Sequence, residues 1–355
     1  MKKNRNKFVL IIVIIIISLT VVISILLKNL IANSKFTDDT ISSNHAQISL
    51  ENDQINVYKS TQTIESSKTK ENTQSNREKK SINQDLELFD NKTVSASEFT
   101  HITEQIIQSY VGNFNGDLQI YFKILDNNQT YIDQGKSMYP ASLMKLFLMA
   151  EIFDEIEKEE ITYEEVEHLL IAMITQSDNY SYNALLEELI QVDPNGNPFM
   201  RIKELCDQYD FVETKPYNYF QETGFDFSYL AQYLPSYAFE TSVTDLGRFY
   251  ELLYKGELIS PKASEEMLNL LNQQQRKSKI PFLLPEEAIT YNKTGELDNF
   301  SHDSCLVKSP RCDYILIVMS ENYDFDGSAD YLIQKMSLSI YNYLNKTNTD
   351  ALATE

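Results

Sequence analysis

The order of extended and helical patterns along residues 95–346 is the strongest constraint on the fold. Two extended runs, 118–125 and 130–133, flank an Asn-rich turn, which indicates a β-hairpin. Helical spacing dominates the middle of the region until a largely apolar strand is predicted at 313–319. Because strands come from both ends while helices fill the middle, we expect an α/β (α+β) fold in which helices cover one antiparallel β-sheet.

Local signals place several helix boundaries within this region. Thr162–Glu165 forms a capping box, and Ser260 precedes a proline suited to a first helical turn. Residues 217–238 are rich in Tyr and Phe without a clear period, so a long ordered loop is predicted there. The other predicted helices are 97–111, one starting near Ala141, one through Ala184–Leu189, one starting at Ser242 and one over 331–344.

The N-terminal segment has the pattern of a membrane anchor. A basic stretch, residues 1–7, precedes an uncharged run rich in Ile and Val from Phe8 to Leu27. About 20 apolar residues cross a bilayer as a helix, and the preceding positive charges favour a cytoplasmic N-terminus. We therefore expect a single-pass signal anchor at 8–27, in the cell membrane, with the rest of the chain extracytoplasmic. A cleaved signal peptide is the alternative.

The remaining segments and the charge also carry predictions. Residues 28–94 are rich in Ser, Thr, Asn, Gln, Lys and Glu, and they cannot bury enough apolar surface to offset their ordering entropy. We interpret them as a flexible polar linker, 95–346 as the folded domain and 347–355 as a polar tail. The net charge of −21 repels nucleic acid, so no nucleic-acid partner is expected.

Cysteine and histidine usage indicates no metal or organic cofactor. The four histidines are scattered without zinc-ligand spacing, and we interpret His302 as a plain hairpin position rather than a catalytic one. In an oxidising exterior, Cys305 and Cys312 could pair across a hairpin with a Ser-Pro turn. Free buried thiols are the alternative that we favour, with Cys206 as a core residue.

Three short motifs follow one another in the chain. Each motif alone is weak, because an isolated S-x-x-K is most often an ordinary helix start and an isolated Ser-Asp-Asn a helix-end turn. Their occurrence in one order, each in a suitable context, predicts a catalytic site. The motifs are Ser142-Leu-Met-Lys145, Ser177-Asp-Asn179 and Lys293-Thr-Gly295.

The first two motifs can supply a nucleophile, a base and a proton relay. Residues three apart on a helix share a face, so the Ser142 hydroxyl and the Lys145 amine can meet. A serine hydroxyl needs a neighbouring base, and Lys145 can serve if burial and a second cation, Lys293, lower its pKa. Ser177 can relay the proton to a leaving nitrogen, and Asn179 can hold a substrate amide.

The third motif can supply an anion clamp. Lys293 and Thr294 can bind a carboxylate by charge and by a hydroxyl hydrogen bond. Gly295 lets an edge strand approach a bound acyl group closely. The backbone N–H groups of Ser142 and Glu296 would then form an oxyanion hole.

These motifs resemble those of the class A β-lactamases and penicillin-binding proteins. Asn183, four residues after Asn179, and the stretch Thr241–Leu246 extend the resemblance, which covers 97–344. The resemblance implies an antiparallel sheet with an all-helical sub-lobe. It also implies Ser142 as the acylated nucleophile, with Lys145, Ser177, Asn179, Lys293 and Thr294 in the roles described above.

One element of that family is not recognisable. Class A enzymes carry a Glu-x-x-Leu-Asn element whose Glu activates the water that releases the acyl group; here Glu222 and Asp226 lie in the expected loop without that context. The leading prediction is a membrane-anchored extracytoplasmic serine hydrolase that opens β-lactam amides through an acyl-serine. The alternatives are a cell-wall D-alanyl peptidase or penicillin-binding amidase that deacylates slowly, and a penicillin-binding sensor domain. The expected partners are a β-lactam or a peptidoglycan stem peptide, and the lipid bilayer through 8–27.

Overall fold

A computed structural model describes most of the predicted folded region. Its described residues are 96–111, 114–126, 128–133, 136–236, 238–323 and 328–345. The predicted basic tail, signal anchor, linker and polar tail lie outside them. Within the described ranges, no helix combines the length and the apolar character of a membrane span.

The elements follow the predicted order, with a helical run between the two groups of strands. The helices are α1 (Ala96–Val111), α2 (Lys145–Glu157), α3 (Tyr163–Ile171), α4 (Asn179–Val192), α5 (Pro198–Gln208), α6 (Val243–Lys255), α7 (Pro261–Asn272) and α8 (Ser328–Asn345). The strands are β1 (Asp117–Ile124), β2 (Gln129–Asp133), β3 (Lys215–Pro216), β4 (Phe239–Glu240), β5 (Ile289–Leu297), β6 (Phe300–Lys308) and β7 (Tyr314–Glu321).

The main sheet has the order β2-β1-β7-β6-β5, and every neighbouring pair is antiparallel. The prediction of an antiparallel sheet built from both ends of the region is therefore confirmed. Strand β5, which carries the Lys293 motif, lies at one edge. An edge strand leaves one side free of sheet pairing, so other parts of the chain or a ligand can approach it.

Two hydrophobic clusters lie on opposite faces of the sheet. Alternate residues of β7 enter different clusters: Ile317 packs with the central helices, whereas Leu316 packs with α8. A strand buried on both faces is apolar throughout, which explains why 313–319 reads as a continuous apolar run. The central helices α2–α7 form the all-helical part of the fold, and α2 runs through its core.

Capping chemistry accounts for most of the helix starts. The Thr162 capping box is present, and the Ser242 and Ser260 side chains each accept a backbone N–H three residues on. Helix α5 is absent from the sequence-based predictions, although Asn197 caps it and Pro198 occupies its first turn. The three cysteines are free thiols, so the pairing of Cys305 with Cys312 is not formed.

The described part of the predicted long loop, 217–236 and 238, is irregular apart from a short 3₁₀ turn, Ser228–Tyr233. The pairing of β3 with β4 closes the two ends of this loop. Asn183 of α4 anchors its middle at Phe220, where the Asn183 Oδ1 accepts the backbone N–H at 3.0 Å and its Nδ2 donates to the backbone carbonyl at 2.6 Å. The loop is thereby held against the start of α4, beside the second motif.

Candidate active site

Ser142 lies in a single 3₁₀ turn, Ala141–Met144, which runs directly into α2. Ala141 has a φ of +45°, a conformation that non-glycine residues seldom adopt and that requires support from the surrounding structure. Because Ser142 and Lys145 are three residues apart on the helical turn, their side chains share a face, and the Lys145 Nζ lies 3.2 Å from the Ser142 Oγ. The predicted contact between hydroxyl and amine is present.

Lys145 is fully buried and is surrounded by acceptors. Its Nζ donates to the Ser177 carbonyl at 2.6 Å and to the Asn179 Oδ1 at 2.7 Å, and the face of the Phe220 ring lies 4.7 Å away. A neutral amine has two N–H groups and one lone pair. These two acceptors can take both N–H groups and leave the lone pair for the Ser142 hydroxyl. Burial lowers the pKa of Lys145 to about 7, which makes the neutral form accessible near neutral pH.

Ser177 lies where helical geometry breaks down. A π-helical turn, Ala172–Gln176, ends at Ser177, which adopts the left-handed conformation with a φ of +64°. Asp178 then caps α4 by accepting the Ser181 N–H, and Asn179 is the first residue of that helix. The break points both the carbonyl of Ser177 and the side chain of Asn179 at the Lys145 amine.

Lys293 approaches the same hydroxyl from the sheet. Its Nζ is fully buried and donates to the Ser177 Oγ at 2.9 Å and to the Thr294 carbonyl at 2.8 Å. Burial, reinforced by the charge of Lys145, lowers the pKa of Lys293 well below its usual value. An incoming carboxylate would favour the charged form again. The Ser177 hydroxyl thus lies between two amines, with the Lys145 Nζ at 3.5 Å.

Gly295 allows β5 to lie against the turn that carries Ser142. A Cβ at this position would be 2.8 Å from the Pro140 carbonyl oxygen, closer than real Cβ atoms come to such an oxygen. His302, on the neighbouring strand, has its Nε2 2.9 Å from the Tyr139 carbonyl and its Nδ1 3.1 Å from the Ser320 N–H. Burial lowers the pKa of His302 to about 4, so it is neutral and holds the nucleophile turn rather than exchanging protons.

Glu296 follows Gly295 on β5. The predicted oxyanion role concerns its backbone N–H, whereas its side chain forms ion pairs with Arg276 and Lys279. Within the described ranges, no group of three or more His, Cys, Asp or Glu side chains is placed to hold a metal ion.

Comparison with known proteins decides the family. The family model of the beta-lactamase enzyme family matches residues 102–166 and 164–344. The chain belongs to the beta-lactamase enzyme family. This beta-lactamase family enzyme is therefore a serine hydrolase of a class that acts on β-lactams. No curated protein matches the sequence.

Solved structures share the fold of this beta-lactamase family enzyme at low identity. A β-lactamase from Sphaerobacter thermophilus is 16% identical with a TM-score of 0.57, over 68% of this chain and 95% of that one. PBP-A is 19% identical with a TM-score of 0.59, over 70% and 97%. The extended-spectrum β-lactamase TLA-1 is 16% identical with a TM-score of 0.58, over 70% and 99%. At these identities the likeness concerns the fold.

The loop over 217–238, in which no Glu-x-x-Leu-Asn element is recognisable, lies beside Lys145 in this beta-lactamase family enzyme. Asn183 binds both backbone polar groups of Phe220, and the Phe220 ring then covers Lys145. Glu222 is half-buried and close enough to raise the pKa of Lys145 against the larger effect of burial. Asp226 is exposed and accepts the Ser228 N–H within its own turn. The sequence does not single out Phe220, because a phenylalanine in an aromatic-rich loop gives no chemical signal.

Proposed function

We propose that this enzyme acylates Ser142 with β-lactam amides and releases the acyl group slowly, as a penicillin-binding amidase. The observation that carries the acylation half is the continuous hydrogen-bond chain from the Ser142 Oγ through Lys145 and Ser177 to Lys293. The observation that carries the slow-release half is the position of the Phe220 ring beside Lys145.

Acylation follows from the order of the groups in that chain. The Ser142 Oγ attacks the lactam carbonyl carbon, and its proton passes to the neutral amine of Lys145. The tetrahedral oxyanion would accept hydrogen bonds from the N–H groups of Ser142 and Glu296. When the C–N bond breaks, the Ser177 hydroxyl gives its proton to the leaving nitrogen and takes one from Lys145. Lys145 is then neutral again and the acyl group is an ester of Ser142.

Substrate recognition would use the remaining members of the three motifs. Asn179 can donate from its Nδ2 to a substrate amide, since its Oδ1 is engaged by Lys145. Lys293 and Thr294 can bind a carboxylate; both are buried, and the Lys293 Nζ contacts the Ser177 Oγ. A carboxylate adjacent to a scissile amide occurs in β-lactams and in the D-alanyl ends of peptidoglycan stem peptides.

Hydrolysis of the acyl-enzyme needs a base that activates a water molecule, and class A enzymes use a carboxylate for this step. Within the described part of the chain, none of the hydrogen-bond partners of Lys145 is a carboxylate. The aromatic ring of Phe220 occupies the side of Lys145 that faces the loop. Without a positioned base, deacylation loses a contribution of about 10²–10⁴-fold in rate.

A fast class A β-lactamase is the second candidate, and one observation favours it. Glu222 is two residues from Phe220, and its charge reaches Lys145. A modest movement of the loop after acylation could bring this carboxylate to the ester. The two candidates differ only in the lifetime of the acyl-enzyme, which is directly measurable. A sensor that is acylated once would give the same long-lived adduct and would differ in lacking activity on stem peptides.

The test combines a chromogenic cephalosporin with intact-protein mass spectrometry on the folded region. We expect one rapid burst of colour, a lasting mass adduct on Ser142, and no adduct in Ser142→Ala. Sustained turnover in the unmodified enzyme would refute slow release, and absence of any adduct would refute the acylation scheme. Phe220→Glu should shorten the adduct lifetime by about tenfold or more. Phe220→Leu is the matched control and should not. Glu222→Gln should leave the lifetime unchanged.

We also propose that residues 8–27 anchor the enzyme in the membrane, with the active site outside the cytoplasm. The support is the uncharged length of that run and the basic residues before it. The full chain expressed in a bacterial host should stay with membranes after alkaline carbonate washing, and external protease should reach its catalytic region in spheroplasts. Recovery in the soluble fraction at full mass would contradict the anchor.

A further inference from the structure

Glu296 places a carboxylate beside the proposed anion clamp. Residues i and i+2 of a strand face the same side of a sheet, so the side chain of Glu296 shares a face of β5 with that of Thr294. Two such residues are separated by roughly 7 Å along a strand. Glu296 therefore lies on the face of β5 that carries the hydroxyl proposed to bind the carboxylate of a substrate.

The Glu296 side chain is held between two cations. Its Oε2 lies 3.0 Å from the Arg276 Nη1, and its Oε1 accepts a hydrogen bond from the Lys279 Nζ. The Lys279 side chain is only 1% exposed, whereas those of Arg276 and Glu296 are 47% and 38% exposed. Arg276 and Glu296 are therefore accessible to a ligand, whereas Lys279 is buried and contacts the Glu296 carboxylate from inside the fold.

The loop that carries Arg276 is fixed against the catalytic motifs. The Gln275 N–H donates to the Thr175 carbonyl at 2.9 Å, in the turn that ends at Ser177. The Arg276 carbonyl accepts from the Asn292 Nδ2 at 3.2 Å, next to Lys293 on β5. The charge of Arg276 also lowers the pKa of both catalytic lysines, after the larger effect of burial. Arg276 is thus near enough to influence an anion bound at Lys293.

We propose that Glu296 is a specificity-determining residue: its carboxylate occupies the Arg276–Lys279 cation pair and so lowers the affinity of the cleft for ligands that bring their own carboxylate. Such a ligand, bound at Lys293 and Thr294, meets a like charge and cannot recruit Arg276. A neutral ligand is not repelled by Glu296 and has no need of Arg276. This inference rests on the proposed function, since it assumes that Lys293 and Thr294 receive the acid group.

The test measures binding without chemistry, so that its failure is distinct from failure of acylation. In Ser142→Ala protein, calorimetry compares benzylpenicillin with its methyl ester, which lacks the negative charge. Adding Glu296→Gln should raise the affinity for the acid by about five- to tenfold, because one charge near the acid is removed in a partly screened site. The affinity for the ester should change less than twofold. Glutamine retains the backbone N–H and a side-chain acceptor for Lys279.

Two further variants complete the experiment. Asp298→Asn removes the same charge from the exposed turn between β5 and β6, outside these ion pairs, and should leave both affinities unchanged. Arg276 is at an exposed position, where the fold should tolerate Arg276→Gln. This substitution removes one of the two cations that neutralise Glu296, so it should lower the affinity for the acid and leave the affinity for the ester unchanged. Melting temperatures verify folding. The proposal is overturned if Glu296→Gln changes the affinities for both ligands equally or changes neither. It is also overturned if Arg276→Gln leaves the affinity for the acid unchanged, or if neither ligand binds.

Discussion

Gly295→Ala tests whether close approach of β5 to the nucleophile turn is required for acylation. The added Cβ would be 2.8 Å from the Pro140 carbonyl oxygen, 3.1 Å from the His302 Cδ2 and 3.2 Å from the Leu143 Cγ. The nearest of these atoms belongs to the backbone and cannot rotate away. To restore an ordinary contact of about 3.4 Å, strand and turn must separate by roughly 0.6 Å.

That separation has two expected consequences. A misplacement of about 1 Å in an active site can cost about 100-fold in rate, so roughly 0.6 Å should slow acylation by about tenfold. Overpacking of the same contact should also lower the free energy of unfolding by about 1–3 kcal/mol. The assay is the second-order rate of labelling by a fluorescent penicillin, measured on protein whose folded fraction is known from circular dichroism.

Gly247→Ala provides a matched control for general destabilisation. A Cβ on this α6 residue would be 2.5 Å from the ring of Tyr121, and its three nearest neighbours all belong to that ring. We expect a lower melting temperature in this variant with the acylation rate per folded molecule preserved. If Gly295→Ala is folded and acylates at the unmodified rate, the argument that β5 must contact the turn is wrong.

The other predictions concern the base, the loop and the clamp. The pKa of Lys145 lies near 7 and only the neutral amine can accept a proton, so acylation should rise about tenfold per pH unit below 7 and level off above it; a profile that is flat from pH 5.5 to 8.5 would contradict this. Asn183→Ala removes both hydrogen bonds to Phe220 and should lower the free energy of unfolding by about 1–3 kcal/mol in urea titrations. It should also shorten the acyl-enzyme lifetime, because the loop loses its anchor to α4. An unchanged lifetime would show that the position of the loop does not control deacylation. Lys293→Ala should reduce acylation by carboxylate-bearing β-lactams by about ten- to a hundredfold, whereas the exposed Lys277→Ala should not. Equal acylation rates in the two variants would refute the assignment of Lys293 to the anion clamp.

Much of the fold could be predicted because its signals are local. The Thr162 capping box, the Ser242 cap and the proline after Ser260 each act within one helical turn, and all three helices begin where these residues predict. The antiparallel sheet followed from the order of strands and helices, since strands from both ends of a region can pair in one sheet that the intervening helices cover. Helix α5 escaped prediction although its own cap, Asn197, is also local.

The candidate site could be predicted only as a set of chemical groups. Ser142 and Lys145 meet through helical geometry alone, so their contact was predictable from spacing. The contact of Lys293 with Ser177 joins residues 116 positions apart, and motif order indicated it without any geometry. The contact of the Phe220 ring with Lys145 had no sequence signal, because the effect of the ring depends on its position in the fold and not on a reactive group.

The sequence by itself determined the family chemistry of this protein: a hydroxyl and an amine one helical turn apart, a second hydroxyl at a helix break and a lysine on a strand. Covalent geometry and capping act over a few residues, and the amino acids specify them directly. Tertiary structure decided what surrounds those groups, namely the burial that lowers the pKa of Lys145, the aromatic ring beside it and the cations that hold Glu296. Desolvation and Coulomb interactions depend on distance in space, and the packing of remote segments sets that distance.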